Sequence, residues 1–359
     1  MSLENTKACC SSKANTCCNT THTKHDIQYL TTHLNWKDRI GHLSVRCGIG
    51  RMNYIVEPGI YAIGQPDIDS PVLVSANYKL SVDRLRIQLS GRNIWILVLD
   101  TKGINVWCAA GKGTFGTDEL INRINISNLS DYVSHKNLIV PQLGATGVSA
   151  YKVRKESGYS VKYGPVRAED IPEYLDNGMI ASKEMRKVDF PISERAVLIP
   201  ADLVLWGRNV VIAAVIFMLI GGFNNSIYSL HNILTIGLGF GIQLLITFAA
   251  AMVFGPLLLP WLPGRAFAVK GLWIGFICFI FIMLFGYSFG SPYIYSYWLN
   301  FISWLLICSA LASFVVMNFT GSSTFTSLSG VLKEMKYAVP IQVISGITGI
   351  ILLIICRFV

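Results

Sequence analysis

The hydrophobic pattern divides the chain into two halves of different character. Up to about residue 200, short apolar runs alternate with amphipathic stretches, which is typical of strands and helices that share one core. Beyond that point the apolar runs reach about 20 residues, the length of a membrane span. Five such runs predict membrane helices at Leu203–Gly222, Leu230–Phe254, Ala266–Tyr287, Trp298–Asn318 and Ala338–Cys356.

In the first half, strand patterns alternate with helix patterns. Short apolar runs predict buried strands at residues 71–76, 94–99, 138–141 and 160–163. Helices are predicted at residues 80–89, from Thr117 as the N-cap, at 149–155, and at 167–177 with Gly178 ending the last. Such alternation predicts an α/β fold of the Rossmann-like kind, with a parallel sheet flanked by helices.

Charge sharpens this division. Only 14% of the residues are charged, against about 25% in soluble proteins. The first thirty residues are polar and without periodicity, which indicates a disordered, cysteine-rich tail at residues 1–30. A soluble domain is predicted at residues 31–195 and a transmembrane domain at 196–359. The charged residues after position 202 are Arg208, Arg265, Lys270, Lys333, Glu334, Lys336 and Arg357.

The distribution of lysine and arginine predicts an orientation in the cytoplasmic membrane. Cations precede the first predicted span and recur between the second and third and between the fourth and fifth, whereas the other two loops have none. We therefore expect the soluble domain to face the cytoplasm and the C-terminus to lie outside. The N-terminal residues lack the apolar stretch of a signal peptide, in keeping with this. No basic run interleaves with aromatic residues, which argues against a nucleic-acid partner.

The predicted membrane half resembles an anchor more than a transporter. Its spans lack the buried acids and paired charges that mark ion and proton pathways. A transporter or sensor with a cytosolic ligand-binding domain stays open as an alternative.

One short segment draws attention to Cys108. The sequence NVWCAAGK, residues 105–112, comes directly after the carboxyl end of the strand predicted at 94–99. A second glycine-containing loop, LGATG at residues 143–147, follows the strand predicted at 138–141. Ligands of open α/β sheets bind beyond the carboxyl ends of the strands, so both loops are expected at one ligand-binding rim.

Several chemistries of Cys108 can be compared from the residues around it. A phosphate-binding P-loop fails because Val106 and Gly113 stand where that motif needs glycine and serine or threonine. A redox dithiol fails because residue 111 is glycine. A cysteine hydrolase needs a histidine, and no signature surrounds His42 or His135. Plain packing and a thiolate donated to a soft metal remain.

The four tail cysteines form a separate candidate. Two vicinal pairs, Cys9–Cys10 and Cys17–Cys18, suit capture of a soft metal ion, although their spacing fits no zinc module. A solvated tail with reactive thiols is the alternative.

At the level of its motif the chain resembles the mercury-methylating corrinoid proteins. NVWCAAGK matches all eight positions of that family's signature, and the segments 36–66, 70–85, 99–120 and 141–175 resemble it as well, followed by a five-span membrane domain. The tail at residues 1–30 lies outside the resemblance.

The resemblance implies a cofactor and a reaction. The soluble domain would bind a corrinoid of the cobalamin type, methylated on cobalt, as in the large subunit of the corrinoid iron–sulfur protein. Cys108 would be the lower axial cobalt ligand on a small cap helix, and the methyl group would pass to Hg(II). The residues expected to contact the cofactor are Asn105, Val106, Trp107, Cys108, Ala109, Ala110, Gly111, Lys112, Gly144, Ala145 and Thr146.

The resemblance also implies partners. A small ferredoxin with two iron–sulfur clusters would supply electrons, because this sequence has no cysteine run for a cluster of its own. A separate methyltransferase would supply the methyl group. From the residues, Asn105 is expected to cap the helix of NVWCAAGK, and Trp107 to pack that helix against the sheet. A corrinoid methyl carrier with a different acceptor remains the alternative.

Overall fold

The computed structural model describes residues 27–224, 227–285, 298–319 and 328–358. The four tail cysteines, Cys9, Cys10, Cys17 and Cys18, lie outside the described residues, so their metal role stays a prediction. Within this range the chain forms an α/β domain followed by a helical region.

A six-stranded sheet forms the centre of the α/β domain. Its spatial order is β1-β2-β4-β3-β5-β6, and every neighbouring pair is parallel except β2 with β4. The predicted α/β fold with a mainly parallel sheet is therefore confirmed. The strands are β1 Gln28–Tyr29, β2 Gly59–Ile63, β3 Val72–Ala76, β4 Ile94–Leu99, β5 Asn137–Val140 and β6 Ser160–Tyr163.

Helices cover both faces of this sheet. They are α1 Trp36–Arg46, α2 Lys79–Gln88, α3 Val106–Lys112, α4 Thr117–Ile126, α5 Ala150–Ser157 and α6 Ile171–Asp176. One core includes α3, α4 and α5 and the side chains of Val72, Val74, Leu97 and Leu99. The other includes α2 and α6 and the side chains of Leu73, Ile94, Ile96 and Val98.

Strand β4 shows why the sheet is stable. All six of its residues are buried, since alternate side chains enter the two cores. Burying a large aliphatic side chain contributes roughly 1.5–3 kcal/mol. The continuous apolar run that predicted this strand is therefore a direct result of its central position.

Two strands at one side of the sheet were missed by the sequence pattern. Strand β2 runs antiparallel to β4, with Tyr61 opposite Ile96, and β1 adds only two residues beside it. Antiparallel pairing at this edge comes from contacts distant in sequence, because residues 59–63 pair with residues 94–98.

The start of α4 differs from the prediction. Gly116 rather than Thr117 is the N-cap, and Thr117 is the first helical residue. The Thr117 hydroxyl instead accepts a hydrogen bond from the backbone N–H of Ser149 at 2.9 Å. The threonine is thereby used for a tertiary contact, which the local pattern does not reveal.

Beyond the α/β domain the chain is helical. The helices are α7 Ile192–Ala196, α8 Ile199–Ile220, α9 Leu230–Asn232, α10 Leu238–Leu258, α11 Phe267–Phe285, α12 Trp298–Asn318 and α13 Leu328–Phe358, with a short hairpin of β7 Phe223–Asn224 and β8 Ile227–Tyr228 after α8. Among the described residues, five helical stretches are long and apolar enough to cross a membrane, namely Ile192–Ile220, Leu230–Leu258, Phe267–Leu284, Trp298–Asn318 and Gly330–Phe358.

Glycines allow these helices to approach closely. An added Cβ at Gly237 would lie 2.0 Å from the carbonyl oxygen of Met218, and one at Gly241 would lie 3.0 Å from that of Ala214. The glycines of segment 237–241 thus leave room for the backbone of α8. Small residues serve the same purpose in membrane helices generally, because packing replaces the hydrophobic driving force there.

Candidate functional site

The candidate site lies where the sheet changes the direction of its strand order. Strand β3 sits between β4 and β5, so the connection from β3 to β4 and the connection from β4 to β5 leave in opposite directions. Such a switch point opens a crevice beyond the carboxyl ends of the strands. Helix α3 packs there, against β3 and the turn Gln142–Gly144 that follows β5.

Local chemistry fixes both ends of α3. The side chain of Asn105 accepts a hydrogen bond from the backbone N–H of Cys108 at 3.0 Å, which confirms the predicted N-cap. At the other end Gly113 adopts φ +82°, a left-handed conformation that glycine tolerates best. A seven-residue helix with both ends defined holds Cys108 in its first turn.

The two faces of α3 have different surroundings. Ala109 and Ala110 are buried against the core, whereas Cys108 is half-buried and Gly111 and Lys112 are exposed. Trp107 lies on this outer face as well, with 38% of its surface exposed. The core beneath α3 contains the two alanines, and packing of Trp107 against the sheet stays a prediction.

The second predicted loop, at residues 143–147, packs closely against α3 and Phe115 because two of its residues are glycines. A Cβ at Gly147 would lie 2.1 Å from the carbonyl oxygen of Phe115 and 3.1 Å from the Cα of Ala110. At Gly144 it would lie 2.5 Å from the Phe115 ring. The two loops thus converge as expected, but both glycines are required by packing inside the protein. Ala145 is half-buried and Thr146 exposed beside them.

This close approach gives a testable consequence. Gly147→Ala is expected to lower the free energy of unfolding of the α/β domain by about 1–3 kcal/mol, because overpacking forces the loops apart. Gly111→Ala is the matched control, since its added Cβ would meet no atom within 4 Å. Urea denaturation followed by the intrinsic fluorescence of the purified protein measures both. Equal stability of the two variants would contradict the packing role of Gly147.

A residue that sequence reasoning missed organises the loop before α3. Asn77, buried just after β3, accepts hydrogen bonds from the backbone N–H groups of Thr101 at 3.1 Å and Gly103 at 3.0 Å. Its amide donates to Asp100 at 3.3 Å. Gly103 has φ +71°, so the loop makes a sharp turn before reaching Asn105. The only available sequence signal was an asparagine directly after a buried strand.

Charged groups reinforce the same loop. The hydrogen bond from the Lys102 ammonium lowers the pKa of Asp100, and burial opposes this only in part. The backbone N–H of Asp100 donates to the carboxylate of Glu119 at 2.8 Å. Glu119 in turn pairs with Arg123 at 2.7 Å. The carboxyl group of Asp100 is therefore ionised at neutral pH, and these contacts hold the loop that leads to Cys108 in place.

The outer face of α3 fits a broad, flat ligand that brings its own metal donors. Gly111 follows Cys108 by three residues on this face. Apart from its chain neighbours and the backbone of its own helix, no protein atom lies within 4 Å of the position of its absent Cβ. Protein packing therefore does not require glycine there, and its absence of a side chain leaves room beside the thiol. No group of three or more His, Cys, Asp or Glu side chains suited to a metal occurs in the described parts of the chain. Cys108 would supply one donor to such a metal, and the ligand itself would supply the others.

Comparisons with known proteins cover the α/β domain. Residues 43–175 match the family described as the CO dehydrogenase/acetyl-CoA synthase delta subunit. The acetyl-CoA decarbonylase/synthase complex subunit gamma of Methanopyrus kandleri is 33% identical over 132 residues, which are 36% of this chain and 28% of the relative. The subunit of the same name from Archaeoglobus fulgidus is 31% identical over 123 residues, 34% of this chain and 26% of the relative.

Each match covers only part of this chain and only part of the relative. The matched segment spans about a quarter of the length of the curated relatives, at 28% and 26%. The family match at residues 43–175 contains β2 to β6 and NVWCAAGK, and it ends before the five candidate membrane spans.

Proposed function

We propose that this protein is a membrane-bound, corrinoid-dependent methyltransferase that passes a methyl group to Hg(II), giving methylmercury. One observation carries the proposal: a half-buried free thiol, Cys108, is held in the first turn of a capped helix at the switch point of the sheet. When bound, a corrinoid supplies a transferable methyl group on its cobalt.

The residues of the chain have distinct roles in this proposal. Cys108 donates its thiolate as the lower axial ligand, and Asn105 fixes the turn that presents it. Trp107, Gly111 and Lys112 share the outer face and border the cofactor, with Thr146 and Ala145 on the neighbouring loop. Val106, Ala109, Ala110 and Gly144 support this surface from beneath.

The similarity to subunits of the acetyl-CoA decarbonylase/synthase complex supports the corrinoid part of the proposal. It equally favours a second candidate, a corrinoid methyl carrier whose physiological acceptor is not mercury. The eight-residue match of NVWCAAGK to the mercury-methylating family favours Hg(II).

The partners follow from the same proposal. A small two-cluster ferredoxin reduces the cofactor, and a separate methyltransferase reloads it. The five candidate spans insert in the cytoplasmic membrane with the α/β domain on the cytoplasmic side and the C-terminus outside. The tail cysteines, Cys9, Cys10, Cys17 and Cys18, deliver the soft metal ion.

An anaerobic methyl-transfer assay separates the two candidates. The purified full chain, loaded with a methylated corrinoid, is expected to form methylmercury from Hg(II) faster than the same concentration of free methylated corrinoid. Retention of the corrinoid without faster methylmercury formation would favour the carrier with another acceptor. Failure to retain any corrinoid through gel filtration would contradict both candidates.

A further inference from the structure

Helix α1 has apolar side chains where a soluble protein would have polar ones. Asp38 and Val45 face the domain and are buried. On the opposite side, at helical spacing, Trp36, Ile40 and Leu43 are 74%, 49% and 65% exposed. The outer side of α1 is therefore an uncovered apolar stripe.

Buried charges fix which side of α1 faces the domain. The carboxylate of Asp38 pairs with Arg86 of α2 at 2.7 Å, and with Lys79. Asp83 pairs with the same two cations, at 2.7 Å to Arg86 and 2.8 Å to Lys79, and His42 of α1 bonds to it at 2.8 Å. Burial opposes ionisation of both carboxyl groups, but hydrogen bonds led by that from Lys79 outweigh it and lower both pKa values. Rolling α1 to hide its apolar stripe would break these buried pairs and strongly destabilise the domain.

The apolar stripe continues past the end of α1. Ile49, Met52 and Ile55 are 62%, 61% and 48% exposed. Together with Trp36, Ile40 and Leu43 they form what we call the α1 patch. Extended exposed apolar surface of this kind marks an interaction site rather than ordinary solvent-facing surface.

The α1 patch lies next to the first candidate membrane span. A Cβ at Gly48 would lie 3.8 Å from the carbonyl oxygen of Ala201, in the first turn of α8. Helix α1 contacts α8. The patch therefore lies beside the start of α8, the first of the long apolar helices.

The charges around the patch suit a membrane surface. Lys37, Arg39 and Arg51 are exposed beside it. Helices that lie in the interfacial layer of a bilayer combine an apolar face that includes tryptophan with lysine and arginine at its margins. Anionic headgroups attract such cations.

We propose that the α1 patch is seated in the interfacial layer of a bilayer that contains anionic phospholipid. This rests on the proposed insertion of the five spans, and it adds a second attachment of the α/β domain to the membrane. The turn at Gly103, which leads to Cys108, packs against Met52 and Ile55, since an added Cβ there would lie 2.9 Å from the Ile55 side chain. The membrane contact therefore sets the orientation of the rim that carries Cys108.

Lipid quenching of a site-specific fluorophore tests the contact. The full chain is placed in nanodiscs of phosphatidylcholine and phosphatidylglycerol, with a fluorescent amino acid at position 43 introduced by codon suppression, so that the native cysteines stay intact. Nitroxide-labelled lipids are expected to quench this probe at least two-fold. A probe at position 151 is the matched control, because Tyr151 is 75% exposed on α5, which packs on the other face of the sheet from α2, the helix that α1 pairs with.

A variant and two contrary outcomes complete the test. Ile40→Glu, at a position 49% exposed, is expected to reduce quenching at position 43 and to leave the folded domain intact by circular dichroism. Equal quenching at positions 43 and 151 in nanodisc-incorporated protein overturns the α1 contact alone. Protein that does not enter nanodiscs at all overturns the membrane part of the proposed function as well.

Discussion

Replacing Cys108 with alanine is expected to lower the rate of methylmercury formation by on the order of 100-fold or more, because changes even in groups that merely support a metal ligand cost 10–100-fold. The thiol is half-buried and on the outer face of α3. Its removal is therefore expected to change the free energy of unfolding by only about 0.5 kcal/mol. The loss of activity would then report on the thiol itself. The anaerobic methyl-transfer assay and the absorbance spectrum of the bound corrinoid are the two measurements.

Two further variants make the result specific. Cys47→Ala is the matched control, since Cys47 is also a free, half-buried thiol but lies at the end of α1. It is expected to keep both the spectrum and the activity. Cys108→His offers an imidazole in place of the thiolate and is expected to shift the corrinoid spectrum. If Cys108→Ala retained full methylmercury formation and an unchanged spectrum, Cys108 would not be the axial ligand.

The sequence predicted those parts of the molecule that depend on near neighbours. Asn105 caps a helix through a residue three positions away, and that contact is visible in the order of residues alone. The central strands β3, β4 and β5 were predicted because burial on both faces demands uninterrupted apolar runs. The candidate spans were predicted as well, because the length and apolar composition of a segment are enough to define them.

The parts that escaped prediction depend on contacts between distant residues. Thr117 was taken as a helix cap, yet its hydroxyl bonds to Ser149, 32 positions away. The loop with Gly144 and Gly147 was expected at a ligand-binding rim, whereas both glycines make room for other parts of the protein, namely Phe115 and Ala110. In each case the local sequence preference is compatible with more than one tertiary arrangement, so it could not predict the one that forms.

Asn77→Ala is expected to destabilise the loop that presents Cys108. The variant leaves the buried backbone N–H groups of Thr101 and Gly103 without their acceptor, and each unsatisfied buried group costs about 1–3 kcal/mol. Hydrogen exchange measured by mass spectrometry should therefore accelerate in peptides covering residues 100–108 by on the order of 100-fold, because local opening governs exchange. Corrinoid affinity should fall with it, since the cofactor would have to order the loop on binding.

Asn125→Ala is the matched control for this prediction. Asn125 is exposed on α4, so its replacement is expected to leave exchange across residues 100–108 unchanged. If Asn77→Ala accelerated exchange but corrinoid bound as tightly as before, order in this loop would not contribute to corrinoid binding. Asn77 would then have only a structural role. If exchange and affinity changed together, and saturating corrinoid restored slow exchange, the hydrogen bonds of Asn77 would be part of what prepares the site. The hydrogen bonds of Asn77 go to Asp100, Thr101 and Gly103. Such a result would therefore show that the end of β3 positions Cys108 through the turn at Thr101 and Gly103 and the cap at Asn105.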